Sequence, residues 1–141
     1  MDLAARKGEG RCQILVLIDA ENDCPKELAP QLLARAVAAR GDVPIAVVLA
    51  KMEFEAWFLG AIESVRETAD TVGASVLGVD PESVRGAKEK LSELTGAPYS
   101  EVIDQASMTA RFDMDKARRN CPSFDKCWRA VESMLMSLGR A

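Results

Sequence analysis

The chain has 141 residues, with 22 acidic against 18 basic side chains, a net charge of -4 and no histidine. At 15.3 kDa it is sized for one domain that buries roughly 68% of its unfolded surface, so a core is available without covalent staples. The acidic balance excludes a globally basic nucleic-acid binder, though not a local basic patch. The missing histidine excludes a His-based triad, a His general base, an H-E-x-x-H zinc site and any His-ligated metal. Carboxylates, Lys, Arg, Cys or a hard metal ion are left to carry any chemistry.

Residues 1–12 read as a flexible lead-in and residues 13–141 as one domain. The run QILVLI at 13–18 is apolar after its first residue and ends at Asp19, as a central strand covered on both faces would. Pro25 suits a first helical position; Leu28, Leu32 and Ala36 then recur at helical spacing until Gly41. VPIAVVL at 43–49 is a second buried strand, which completes a right-handed βαβ unit. A helix is expected from near Glu53, with Phe54, Trp57, Phe58 and Ile62 on its apolar face and Trp57 in the core.

The stretch 67–80 is broken by Gly73 and Gly78 and reads as a loop with a short strand possible at 72–79. Asp80 and Pro81 open a further helix, as cap and first residue. Two short helical pieces fill 100–119. A last helix follows Cys121–Pro122, capped by Ser123. The fold class is α/β: a small parallel sheet flanked by helices, with a helical carboxy-terminal half.

The sharpest local feature is Asp19–Ala20–Glu21–Asn22–Asp23, at the carboxyl end of a strand, where open α/β sheets bind ligands. In extended backbone Asp19, Glu21 and Asp23 share one side. Crowded like charges are costly unless a cation or a hydrogen-bond donor compensates them, and Mg²⁺ or Mn²⁺ takes such oxygen ligands together with waters and phosphates. The same residues are also ordinary turn formers and helix caps. Glu53, after the second strand, ends on the same sheet edge and can approach this cluster; Glu55, two residues on, faces elsewhere. Both also suit the positive end of a helix dipole.

The charge changes sign along the chain. Residues 15–60 hold seven acidic and four basic side chains, whereas residues 105–141 hold four and seven. Arg111, Lys116, Arg118, Arg119, Lys126 and Arg129 suit phosphate or a partner, or simply a solvated face; Lys88 reads as structural or solvated. The four cysteines match no zinc-knuckle spacing and are expected to be reduced. No apolar run reaches the length of a membrane span, and the cytoplasm is the default location.

Four stretches carry a resemblance: LVLIDAENDCP (15–25), AKMEFEAWFLG (50–60), DPESVRGAKEKL (80–91) and YSEVIDQASMTARFDMDKARRNCPSFDKCW (99–128). Through them the chain resembles the DUF4276 family, which has a Toprim-like fold. Toprim domains hold Mg²⁺ beside a phosphodiester with a Glu after their first strand and a D-x-D motif after a later one. The resemblance implies that Asp19 and Glu21 stand at the D-x-D positions, Glu replacing the second Asp, with Asp23 an extra acidic neighbour. It also implies that the Glu-bearing amino-terminal unit is lacking. Glu53 is a candidate substitute, and the uncovered sheet suggests a homodimer.

Two functions follow as expectations. In the first, Asp19, Glu21 and Asp23 hold Mg²⁺ or Mn²⁺ for phosphodiester or phosphoryl chemistry on nucleic acid. Asp19, Glu21, Glu53 and Arg111 are then the catalytic set, with Arg118 or Arg119 assisting. In the second, the chain is a non-catalytic oligomeric or binding module. Carboxylates converging in an open pocket beside a basic wall favour the first; carboxylates engaged with backbone N–H groups or Arg favour the second.

Overall fold

A computed structural model describes residues 12–65 and 78–139. The two apolar runs form the parallel strands β1 (Ile14–Asp19) and β2 (Ile45–Ala50), in register from Ile14 opposite Ile45 to Asp19 opposite Ala50. Helix α1 (Pro25–Ala39) makes the crossover between them. Then come α2 (Ala56–Gly60), α3 (Ile62–Val65), a 3-10 turn (Pro81–Ser83), α4 (Ala87–Thr95), α5 (Asp104–Arg111), α6 (Met114–Asn120) and α7 (Pro122–Leu138). The α/β class and the helical carboxy-terminal half agree with the sequence pattern. No helix among the described residues is long and apolar enough to cross a membrane.

Alternation along β2 decides the layers. Val47 and Leu49 face α1 and join Ala20, Ala29, Leu28 and Leu32 in a small cluster. Val48 and Ala50 point the other way, into the main core with Trp57, Phe58, Leu91, Phe112 and Phe124. The rings there pack edge-on or tilted at 5.0–5.6 Å between centroids, the arrangement that aromatic quadrupoles favour. Gly60 lets α2 approach α6 and α7: a Cβ there would lie 2.4 Å from the Cys121 sulfur. The Asn120 amide closes the same contact by donating to the Gly60 carbonyl at 2.7 Å.

Four expectations need correction. Among the described residues the sheet has two strands, so β1 is not central there, and Leu17 and Ile18 are exposed. The helix expected from Glu53 begins at Ala56 and breaks at Ala61 into two short pieces. Asp80 caps as expected, its Oδ1 accepting from the Glu82 amide at 2.9 Å, but the helix is only a 3-10 turn. Val84 is extended and Gly86 takes the left-handed φ of 69°, so α4 starts afresh at Ala87. Finally, α7 starts at Pro122 with Cys121 as its N-cap.

Ser123 has a different task from capping. It donates from both its backbone amide (2.9 Å) and its hydroxyl to Oε1 of buried Glu82. Its hydroxyl oxygen in turn accepts from the Trp57 indole at 2.8 Å and from the Lys51 amide at 3.2 Å. This knot ties the 3-10 turn, the end of β2, α2 and α7 together. The expected short strand at 72–79 falls almost wholly outside the described residues.

Candidate functional site

The two strands end side by side. The ladder continues one step further, with the Ala20 amide donating to the Ala50 carbonyl and the Glu21 amide to the Met52 carbonyl, both at 2.8 Å. Glu21 (φ 50°) and Met52 (φ 65°) then take left-handed backbone, which is uncommon for residues other than glycine, and both chains turn away. The Asp23 amide closes the first turn onto the Ala20 carbonyl at 2.8 Å. That turn breaks the extended alternation expected for Asp19, Glu21 and Asp23.

A cleft of about 430 Å³ opens at these strand ends, lined by Asp19, Glu21, Asn22, Met52, Glu53, Arg85, Gly86, Lys88 and Glu89. Asp19, Glu21 and Glu53 are thus brought to one cleft, as expected. Asp23 does not line it. Its position after a closed turn removes it from the set.

Asp19 Oδ1 accepts from the Phe54 amide at 2.8 Å. Burial raises the Asp19 pKa above the usual carboxylate range; this amide opposes the rise, Glu55 adds to it, Lys88 opposes it and Glu21 adds to it. Glu53 is raised too, first by burial; Lys88 opposes, Glu55 and Glu89 contribute, and the Ala87 amide opposes. Lys88 is pushed further up by its bond to Glu101, against burial, and by the charges of Glu55 and Glu53. The cleft therefore holds carboxylates whose charge is only partly compensated, beside Arg85 and a Lys88 kept firmly protonated.

Behind the cleft, Glu55 is fully buried and accepts from the Tyr99 hydroxyl at 2.8 Å and the Gln105 amide at 3.4 Å. It faces away from solvent, as its position two residues after Glu53 implied. Trp57 is core.

The basic wall is not the one expected. Arg111 lines a separate cleft with Tyr99 and Asp104. Arg118 pairs with Asp125 at 3.2 Å and lies over the Trp128 ring at 4.8 Å, and Arg129 also bonds Asp125, at 2.9 Å. Lys116 pairs with Glu63, and it lines a third cleft with Arg119. Lys126 is exposed. The cations at the strand ends are instead Arg85 and Lys88, on either side of Gly86. The sequence pattern left Lys88 as structural or solvated and gave Arg85 no role, because nothing local links VRGAKE (84–89) to a strand that ends at Ala50. The available signal was a glycine between two cations just before an amphipathic helix.

A hard cation is the group this donor set has to be tested against. Among the described residues no group of three or more Cys, Asp or Glu side chains converges as a ready-made cage. A Mg²⁺-type ion needs less, since one or two carboxylates with waters and phosphate oxygens suffice. Asp19 uses one oxygen on Phe54, and Glu21 and Glu53 share its cleft. Among the described residues these side chains do not make an all-protein cage.

The chain belongs to the DUF4276 family, a domain of unknown function, whose family model matches residues 2–132. No curated protein and no solved structure matches it.

Proposed function

We propose that the strand-end cleft binds a phosphoryl or phosphodiester group, of the kind carried by nucleic acid, together with Mg²⁺ or Mn²⁺. The observation that carries this reading is the placement of two carboxylates with raised pKa, Asp19 and Glu53, at the ends of adjacent parallel strands, in one cleft with Glu21, Arg85 and Lys88. Asp19 and Glu21 hold the cation, with Glu53 a further oxygen donor in the same cleft. When bound, the cation supplies charge that polarises a phosphoryl oxygen. Lys88 and Arg85, rather than Arg111, meet the other phosphoryl oxygens. Glu53, held above the usual carboxylate range, can take and return a proton in a chain that has no histidine. On this reading the fold is Toprim-like, with Asp19 and Glu21 at the D-x-D positions.

A second reading, a non-catalytic binding module, rests on the same carboxylates' bonds to the protein itself. Asp19 accepts from the Phe54 amide, and the Ala87 amide at the start of α4 meets Glu53. Cleavage of single- and double-stranded DNA and RNA with Mn²⁺ separates the two. The enzymatic reading expects turnover that Asp19→Ala abolishes while the variant stays folded. Cleavage that is unchanged in Asp19→Ala overturns it, and cation binding without cleavage favours the binding module.

A further inference from the structure

Of the two cations in the strand-end cleft, Lys88 is already engaged by the protein. Its ammonium bonds Glu101, in the loop of residues 96–103 between α4 and α5. Glu101 does not line the cleft and reaches Lys88 from outside it. Lys88 is the second residue of α4, where the positive end of the helix dipole disfavours a cation. Anions offset that cost: Glu101 by direct contact, Glu55 and Glu53 through their charge.

The base of the Glu101 loop is firmly tied. The Tyr99 amide donates to the Ser92 hydroxyl at 2.9 Å, and the Tyr99 hydroxyl donates to Glu55 at 2.8 Å. The Ser100 amide donates to the Asp104 carboxylate, and the Asp104 amide to the Ser100 carbonyl, both at 2.7 Å. The tip beyond this base is not packed: Val102 is 92% exposed and Ile103 73%. The Glu101 side chain is itself 54% exposed, and that of Lys88 39%. Side-chain rotation alone therefore carries the Glu101 carboxylate from Lys88 into water, with the backbone in place. An ion pair this exposed is worth no more than about fivefold in an equilibrium constant, so it is readily exchanged.

We propose that Glu101 is a built-in competitor for the ligand of the cleft: it occupies Lys88 in the free protein, and a phosphoryl oxygen takes its place as Glu101 turns into solvent. The inference rests on the reading of the cleft as a phosphoryl site. Carboxylate and phosphoryl oxygens use the same donor, and the ammonium on its flexible stem turns from one to the other. The exchange also sets a threshold. A simple anion that gains only Lys88 has no advantage over Glu101. A phosphoryl group that also meets Arg85 in the same cleft does.

Titration of inorganic phosphate in excess Mg²⁺, followed by the amide NMR signals of residues 85–89, tests this. The proteins compared are the wild type, Glu101→Gln, Lys88→Gln and the double variant. Glu101→Gln should bind phosphate about two- to fivefold more tightly than the wild type, and the gain should vanish in the Lys88→Gln background. A gain that persists there reflects only the removal of a negative charge and overturns the proposal. Equal or weaker binding by Glu101→Gln overturns it too, while leaving the phosphoryl site standing. Binding by none of the four proteins overturns the reading of the cleft itself, and this inference with it.

Discussion

Two kinds of carboxylate stand within a few residues of each other in this molecule. Glu55 and Glu82 are 1% and 2% exposed, and each is met by donors held on other elements. Asp19 and Glu53 are only half-buried, line an open cleft, and are pushed above the usual carboxylate range by burial and by their acidic neighbours. The first pair organises the fold: each buried carboxyl group is tolerated because its donors come from distant parts of the chain. The second pair is left with charge to be compensated, which is the condition of a ligand site.

The largest effect should come from breaking the organising pair. Glu82→Ala strands the Ser123 amide, and hydroxyl, at the head of α7 and should cost about 3 kcal/mol in urea unfolding. A loss well below about 1 kcal/mol would erase the distinction between the two kinds of carboxylate. A smaller effect is expected where α2 meets α7. Gly60→Ala puts a methyl group against the Cys121 sulfur and should cost about 2 kcal/mol, since the surrounding core has little room to move.

The thiols sharpen the contrast between packed and open regions in another way. Burial, with Glu82 and Asp80 adding to it, pushes Cys121 up to about 12, while Cys24 is exposed. A chromogenic disulfide at pH 8 should therefore label Cys24 in the native protein and leave Cys121 unlabelled until unfolding. The unfolded thiol ionises near its ordinary value of 9.0, below the folded one, so Cys121 favours the unfolded state progressively as the pH rises above that value.

The smallest change in stability is expected at the cleft, and its sign is the informative part. With a raised pKa, folded Asp19 and Glu53 bind more protons than the unfolded chain over the window above the ordinary carboxylate values of 3.8 and 4.5. Stability contributed by these two groups thus falls as the pH climbs through that window and stays lower at neutral pH. Asp19→Asn keeps an oxygen for the Phe54 amide and removes the charge, and Glu53→Gln does likewise; thermal unfolding at pH 7 should occur at the same or a higher temperature. A clear drop in both variants would assign these carboxylates to the same class as Glu82.

The βαβ order was legible from the sequence because ILVLI and VPIAVVL are continuous apolar runs around a helical repeat. Which strand lay at an edge was not, since exposure of Leu17 and Ile18 depends on which elements lie beside β1, and no local pattern encodes that. Asp19, Glu21 and Glu53 were found because all three follow strands; Asp23 was lost to a turn whose left-handed Glu21 has no signature in residue type. Ser123 looked like a cap from its neighbours, while its partner Glu82 lies 41 residues away. Arg85 and Lys88 escaped for the same reason: strand ends are visible locally, but what the fold brings up against them is not.

The most direct test of the cleft as a ligand site is calorimetric titration of Mn²⁺ into the wild-type protein and Asp19→Asn at pH 7.5, with both shown to be folded. Binding by the wild type, weakened at least about tenfold in the variant, is the predicted result. Equal binding by both proteins, or none by either, would contradict it.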